Sequence, residues 1–308
     1  MRNAFAAGLV ELADRDERVV LLTGDLGFMV WEPFIERFPD RFFNAGVAEQ
    51  NMVGMATGLA EAGLRPYVYS IATFASLRGY EFIRNGPLLH ELPVKIVGVG
   101  AGLDYGHNGV THYALEDVAV MRAQPDMAIV APADPDQATA ALPAVHALDG
   151  PAYLRIGKES AGVPGLDGRF EMGHVATIGE GEDVVIVALG TMAREAVTAA
   201  GLLSARGIPA SVAVVSSVRP APVGDLVDLL GRARLAVSAE AHYVNGGVGS
   251  LVAEVIAENG LDCPLRRCGV RTMPRGLTGS PEYLRGELGL SAEALVQVAV
   301  DALDPARR

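Results

Sequence analysis

Only two cysteines, Cys263 and Cys268, and a single tryptophan occur among the 308 residues. Two cysteines are too few for a disulfide framework, and their spacing fits no metal site without further Cys or His nearby, so both are expected to be reduced and packed. Basic side chains are also scarce. Lys and Arg number 25 against 37 Asp and Glu, a net charge of −12, which argues against nucleic acid or an anionic membrane surface as the main partner. No run of 18 apolar residues exists, so no spanning helix is expected. The opening "MRNAFAAGLVELADRDERVV" meets charges too early for a signal peptide and reads as an amphipathic helix with Phe5, Leu9 and Leu12 on one face. Low-complexity segments and short-period repeats are missing as well. These absences lead to the expectation of a soluble, cytoplasmic, globular protein.

What the chain does have is apolar substance. Half of its residues are hydrophobic, enough for a sizeable core, and the length suggests about two domains. Short apolar runs such as "RVVLLTGD", "RPYVYSIAT", "VKIVGVGAG", "MAIVAPAD" and "PAYLRIG" alternate with helical stretches, as in a parallel sheet covered on both faces. The pattern breaks in "GVPGLDGRFEMGHVATIGEGED", which reads as a linker carrying a short hairpin. It then resumes with "DVVIVALGTMAREAVTAAGLLSARGIPASVAVVSSVRP". The expected fold is α/β, with two doubly wound, mostly parallel domains at 1–165 and 182–308 and a linker at 166–181.

Ligands of such sheets usually sit outside the carboxyl ends of the strands. "TGDLGF" is one loop at such a position, and its Asp25 is either a turn residue or a ligand contact. "GHNGVTHYALEDVAVMR" brings His107, Asn108 and His112 ahead of a helix expected to start near Leu115 and to be capped by Thr111 or a neighbour. A histidine there can donate, accept or transfer a proton near neutral pH, or simply pack. "EAHYVNGGVGS" departs from the dinucleotide glycine fingerprint and reads as a tight strand-to-helix turn with His242 structural. The stretch "NAGVAEQNMVGMATGLAEAG" is built of small and apolar residues yet carries Glu49 at its head.

Taken in order, "FFNAGVAEQNMVGMATGLAEAGLRPYVYSIATF", "NGVTHYALEDVAVMRAQPDMAIVAPAD", "PAYLRIGK" and "VSAEAHYVNGGVGSLVAE" resemble the transketolase family of thiamine-diphosphate enzymes, and more loosely the deoxyxylulose-phosphate synthases. The resemblance covers the last two of the family's three domains, the pyrimidine-binding and C-terminal ones. The Gly-Asp-Gly motif of the remaining domain is not found in "TGDLG" or "VGDLVDLLG". The chain therefore resembles the C-terminal subunit of a split transketolase. That implies a separate N-terminal subunit holding the cofactor's diphosphate through Mg2+ (or Ca2+), an α2β2 heterotetramer, and no metal ligands in this chain.

The resemblance also assigns roles. Glu49 matches the acid that hydrogen-bonds a ring nitrogen of the cofactor's aminopyrimidine and so helps the thiazolium carbon lose its proton; burial suits it, since desolvation favours a protonated carboxyl. Asp25 matches a loop acid beside the cofactor. Phe74 matches an aromatic near the pyrimidine, Leu77 stands where the family's stacking aromatic lies, and Tyr80 and Tyr69 are secondary candidates. His112 matches the histidine that contacts the donor's terminal hydroxyl and supports the intermediate after carbon–carbon cleavage. Asn108 replaces a sugar-contacting Asp. Arg2 matches a phosphate-binding arginine, Lys158 replaces a second with a point charge, and the family's histidine and serine fall at Gly100 and Met29. These departures lead to the expectation of a modified, branched or unphosphorylated ketose, or a larger sugar conjugate. Two other readings are a 2-oxoacid dehydrogenase β-subunit, whose histidine loop usually reads His-Ser-Gln, and a non-catalytic partner subunit that stabilises another enzyme or binds a nucleotide through its C-terminal domain.

Overall fold

The structure, a computed structural model, describes residues 1–304, so positions 305–308 of the expected second domain lie outside the described residues. The apolar runs become strands. In chain order these are β1 Val19–Thr23, β2 Phe42–Asn44, β3 Arg65–Ile71, β4 Lys95–Val99, β5 Ala128–Val130, β6 Ala152–Ile156, β7 Ala176–Ile178, β8 Val184–Leu189, β9 Ala210–Val215, β10 Ser217–Arg219, β11 Leu235–Tyr243 and β12 Leu265–Val270. The helices between them are α1 Arg2–Arg15, α2 Glu32–Arg37, α3 Glu49–Glu61, α4 Tyr80–Ile83, α5 Asp117–Arg122, α6 Pro135–Ala147, α7 Ala193–Ser204, α8 Val223–Leu230, α9 Val248–Glu258, α10 Pro281–Glu287 and α11 Ala292–Leu303. None of the described helices is long and apolar enough to cross a membrane.

Two α/β sheets result, as the apolar runs require. β1, β4 and β6 are buried along their whole length, as are β8 and β9. A strand with both faces buried needs helices on both sides, which is the parallel arrangement. The first sheet runs β10-β5-β6-β4-β3-β1-β2 and the second β12-β11-β8-β9-β7. Every pairing is parallel except the edge pairs β10 with β5 and β7 with β9. Along α1, Phe5, Ala6, Leu9 and Ala13 are buried, with Leu12 partly buried beside them. Cys263 and Cys268 are free and buried.

Two local expectations are corrected, and one strand crosses between the sheets. The linker holds no hairpin of its own; its one strand, β7, lies antiparallel on β9. β10 leaves the second half of the chain to close the edge of the first sheet, held by the Arg219 guanidinium, which donates to the carbonyls of Pro125 (2.6 Å) and Arg122 (3.0 Å). The helix expected near Leu115 begins at Asp117, because the Leu115 carbonyl accepts from the Tyr243 N–H at 2.9 Å. Its N-cap is Glu116, without a side-chain cap bond, so Thr111 does not cap it.

The halves are locked by buried polar groups. Arg155 of β6 donates to Asp117 Oδ2 (2.8 Å) and to the carbonyls of Ala114 and Ala241 (both 3.0 Å), while the Tyr153 hydroxyl donates to the same Asp117 oxygen (2.7 Å). Breaking one partner of such a pair leaves a buried charge and costs about 3–5 kcal/mol. Next to it, Glu240 of β11 accepts from the Val248 and Gly249 N–H groups at the start of α9 (2.8 and 3.0 Å). A Cβ at Gly247 would stand 1.8 Å from Glu240 Oε2. The glycines of "NGGVG" thus admit the chain's own carboxylate at the helix terminus where a nucleotide phosphate would bind.

His242 is buried in this joint. Its Nε2 accepts from the Ala119 N–H (3.3 Å) and its Nδ1 lies 2.6 Å from the Tyr243 carbonyl, which requires a neutral ring donating from Nδ1. Desolvation lowers its pKa. Below about pH 6.5 the unfolded chain takes up a proton that the folded chain resists, so this stabilisation is present above that pH and lost as pH falls. Glu240, pushed up to about 7 mainly by burial, acts in the opposite sense between about pH 4.5 and 7. Comparison with a His242 variant isolates the histidine's part. The expected outcome is that the stability gap between wild type and His242→Gln, read from urea midpoints, narrows from pH 8 to pH 5. A constant gap contradicts the assignment.

Candidate active site

The candidate site lies at the carboxyl ends of β1, β3 and β4, adjacent in the first sheet. From β1 the chain steps to β2 on one side and then to β3 on the other, the reversal that opens a crevice in a doubly wound sheet. Loops after β1 (Gly24, Asp25), β2 (Gly46), β3 (Phe74) and β4 (Gly100 to His112) converge there.

Glu49 is the first residue of α3, where the helix dipole favours a carboxylate, and is 1% exposed. Ser70 Oγ donates to its Oε1 at 3.0 Å and Arg78 NH1 to its Oε2 at 3.1 Å. Gly24 closes the other side, where an added Cβ would stand 3.6 Å from Oε1. Burial was expected for this acid; the opposing guanidinium was not. Arg78 reaches it because Phe74–Arg78 winds as a short π-helix, a rare geometry concentrated at functional sites. That turn also stacks the Arg78 guanidinium 3.9 Å over the Phe74 ring.

From Phe74 the contacts continue outward. The His112 ring meets Phe74 edge-on at 5.2 Å, and Thr111 Oγ1 lies 3.0 Å from His112 Nδ1. Tyr105 lies 6.2 Å beyond, and the Lys158 ammonium sits 4.3 Å over its ring. Lys158 is anchored by its N–H, which donates to Asp104 Oδ2 at 2.7 Å. Burial raises the pKa of the Tyr105 hydroxyl, and the nearby Arg2 charge works against that rise, so Arg2 borders the same patch. Gly100 explains how Tyr105 fits: its φ is 79°, and an added Cβ would stand 2.0 Å from the tyrosine ring. A ring folded back from five residues later thus fills the space of a side chain at Gly100.

The structure brings Glu49, Phe74, His112 and Lys158 into one line of contacts, with Arg2 alongside. Asp25 stands at its margin with φ 57°, its N–H donating to Asn44 Oδ1 (3.1 Å) and its Oδ1 accepting from Asn44 Nδ2 (3.0 Å). Leu77 is 42% exposed and Asn108 is exposed in a 3-10 turn. Tyr80 is committed elsewhere: its hydroxyl donates to the Val120 carbonyl (3.0 Å) and accepts from Gln124 Nε2 (2.5 Å), pinning α4 to α5. Tyr69 packs edge-on against Trp31 in the core. Met29 is 90% exposed. Sequence reasoning missed Ser70, Arg78 and Tyr105. The Phe74 to Arg78 spacing of four was a visible signal, whereas nothing local marked Ser70. Among the described residues no group of three or more His, Cys, Asp or Glu is placed to hold a metal ion.

Comparison with known proteins follows the same division. The family model for the transketolase pyrimidine-binding domain matches residues 1–163, and that for the transketolase C-terminal domain matches residues 173–295. The chain is 36% identical to a protein of Methanocaldococcus jannaschii named a putative transketolase C-terminal section, covering 96% of this chain and 94% of that one. It is 37% identical to a 6-deoxy-6-sulfo-D-fructose transketolase subunit of Clostridium sp. (strain MSTE9), covering 97% and 93%. A solved structure described as a split gene transketolase, inactive beta4 tetramer, superposes with TM-score 0.89 at 38% identity, over 98% of this chain and 97% of that one.

The packing of Tyr105 yields a direct expectation. Gly100→Ala meets both the left-handed backbone and the tyrosine ring, and should lower stability by about 1–3 kcal/mol in urea unfolding. Unchanged stability would show that Tyr105 is not held there.

Proposed function

The chain belongs to the transketolase family, and on that premise we propose that it is the C-terminal subunit of a split transketolase that transfers a two-carbon ketol unit from a ketose to an aldose. Family membership implies dependence on thiamine diphosphate. The residues present suit that group. Arg78, a flat cation lying on Phe74 and donating to Glu49, reproduces with the chain's own atoms what an aminopyrimidine needs: an aromatic face and a buried acceptor.

When bound, thiamine diphosphate supplies the carbon nucleophile and the electron sink. In the proposed division of labour Glu49 holds a proton shared with a ring nitrogen, oriented by Ser70. Phe74 offers its face to the same ring. His112, its Nδ1 held by Thr111, directs Nε2 at a substrate oxygen, where it binds the donor and steadies developing negative charge. Asp25 with Asn44 shapes the loop beside the cofactor, and Lys158 and Arg2, with Asn108 nearer the rim, meet the far end of the sugar. Diphosphate and its Mg2+ or Ca2+ belong to a separate subunit in this reading. Support comes from relatives named as a section or subunit that the chain spans over 94% and 93% of their length.

An α2β2 assembly in the cytoplasm is the proposed state. Val47, Met55, Leu77 and Phe82 are exposed by 71%, 37%, 42% and 45%, beside Gly54 and Gly58, whose Cβ positions face open space, so an apolar, close-packing face lies next to Glu49. For the substrate we propose a modified, branched or unphosphorylated ketose, or a larger sugar conjugate, since Lys158 puts a point charge in place of one of the family's phosphate-binding arginines beside Arg2, and Gly100 and Met29 stand where its histidine and serine lie.

The observation that carries this reading is the single line from Glu49 through Phe74 to His112. Its test is reconstitution with the diphosphate-binding subunit, thiamine diphosphate and magnesium. The complex should transfer ketol units, and Glu49→Gln should lower kcat by about 10²–10⁴ while the subunits still co-elute in gel filtration. Undiminished turnover in the variant would leave only a scaffold role. Xylulose 5-phosphate should be a poorer donor than non-phosphorylated ketoses by kcat/KM; a clear preference for the phosphate contradicts the substrate assignment.

A further inference from the structure

Both carboxylate oxygens of Glu49 are paired within the chain. One carboxylate oxygen accepts from Ser70 and the other from Arg78, and the residue is 1% exposed. The same Arg78 guanidinium covers the Phe74 ring at 3.9 Å, and the Phe74 ring meets His112 at 5.2 Å. A single planar cation therefore uses both features that the proposed pyrimidine site has to offer, the buried acceptor and the aromatic face. The two ends of this contact are unequal. Glu49 is buried, so its carboxylate must have a donor. The Arg78 side chain is 42% exposed, so it regains water readily once released.

We propose that Arg78 is a stand-in for the cofactor's aminopyrimidine, and that cofactor loading exchanges the guanidinium off Glu49 and Phe74. The inference rests on the cofactor site proposed above and concerns how that site is kept before loading. The lone chain keeps its buried acid paired, at the cost of a closed site. Cofactor affinity in the assembled enzyme is then reduced by the fraction of time Arg78 occupies the place. Lysine is a poor substitute, because it lacks the flat fork that can stack and donate together.

Two measurements test this. In thermal melts of the chain by itself, Arg78→Met should lower the midpoint, and the same change made in a Glu49→Gln background should have much less effect, since the charge that needed a partner is gone. In the reconstituted complex, calorimetric titration with thiamine diphosphate at fixed magnesium should show Arg78→Met binding about tenfold more tightly than wild type, as expected when an occupant present roughly nine-tenths of the time is removed. Unchanged or weaker binding in Arg78→Met overturns the exchange, as does a melting effect that is independent of Glu49. The reading beneath it fails differently: a wild-type complex that binds no thiamine diphosphate, or binds it equally with Glu49→Gln, removes the cofactor site itself.

Discussion

A carboxylate placed where water cannot reach it has to be met by donors, and the arrangement around Glu49 follows from that requirement. Desolvation of an unpaired charge costs far more than one surface contact returns. Ser70 at the end of β3 and Arg78 in the π-turn beyond it supply the donors, and the Gly24 backbone after β1 packs against the remaining side. Three chain segments are thereby fixed relative to one acid. A short helix with wide winding is an odd way to leave a strand, but it allows one guanidinium to reach Glu49 while lying over Phe74.

The second domain contributes by holding the histidine loop rather than by presenting side chains to Glu49. The Tyr113 hydroxyl donates to the Leu277 carbonyl (2.6 Å), the Gly279 N–H to Gly106 (3.2 Å) and the Tyr243 N–H to Leu115 (2.9 Å). Residues 106–115, with His112 among them, are thus tied at both ends to the other half of the chain. Arg155 and His242 close the same seam from below. Glu240 occupies the start of α9 itself, which accounts for the glycine-rich turn as internal packing rather than as a phosphate site.

The apolar runs and their helical spacers made both parallel sheets legible, because full burial of a strand on two faces leaves a strong pattern. Glu49 was legible as an anomaly, an acid heading a segment made for burial. β10 was not: three residues following closely on β9 carry no signal for crossing to another sheet. The start of α5 was misplaced because a backbone bond from Tyr243, distant in sequence, takes the Leu115 carbonyl out of the helix. Arg78 lay hidden for a related reason. Its spacing from Phe74 suggests a shared face, but the partner that gives it meaning lies 29 residues earlier on another helix. Tyr105 folding over Gly100 likewise depends on a positive φ that the sequence permits without requiring.

The central claim is that Glu49 is half of a cofactor site completed by another protein. A crystal structure of this chain bound to its diphosphate-binding partner with thiamine diphosphate tests it most directly. The account predicts the pyrimidine ring in hydrogen-bonding contact with Glu49 and against Phe74, with the Arg78 guanidinium displaced. A cofactor enclosed by the partner alone, with Glu49 still paired to Arg78, would contradict it.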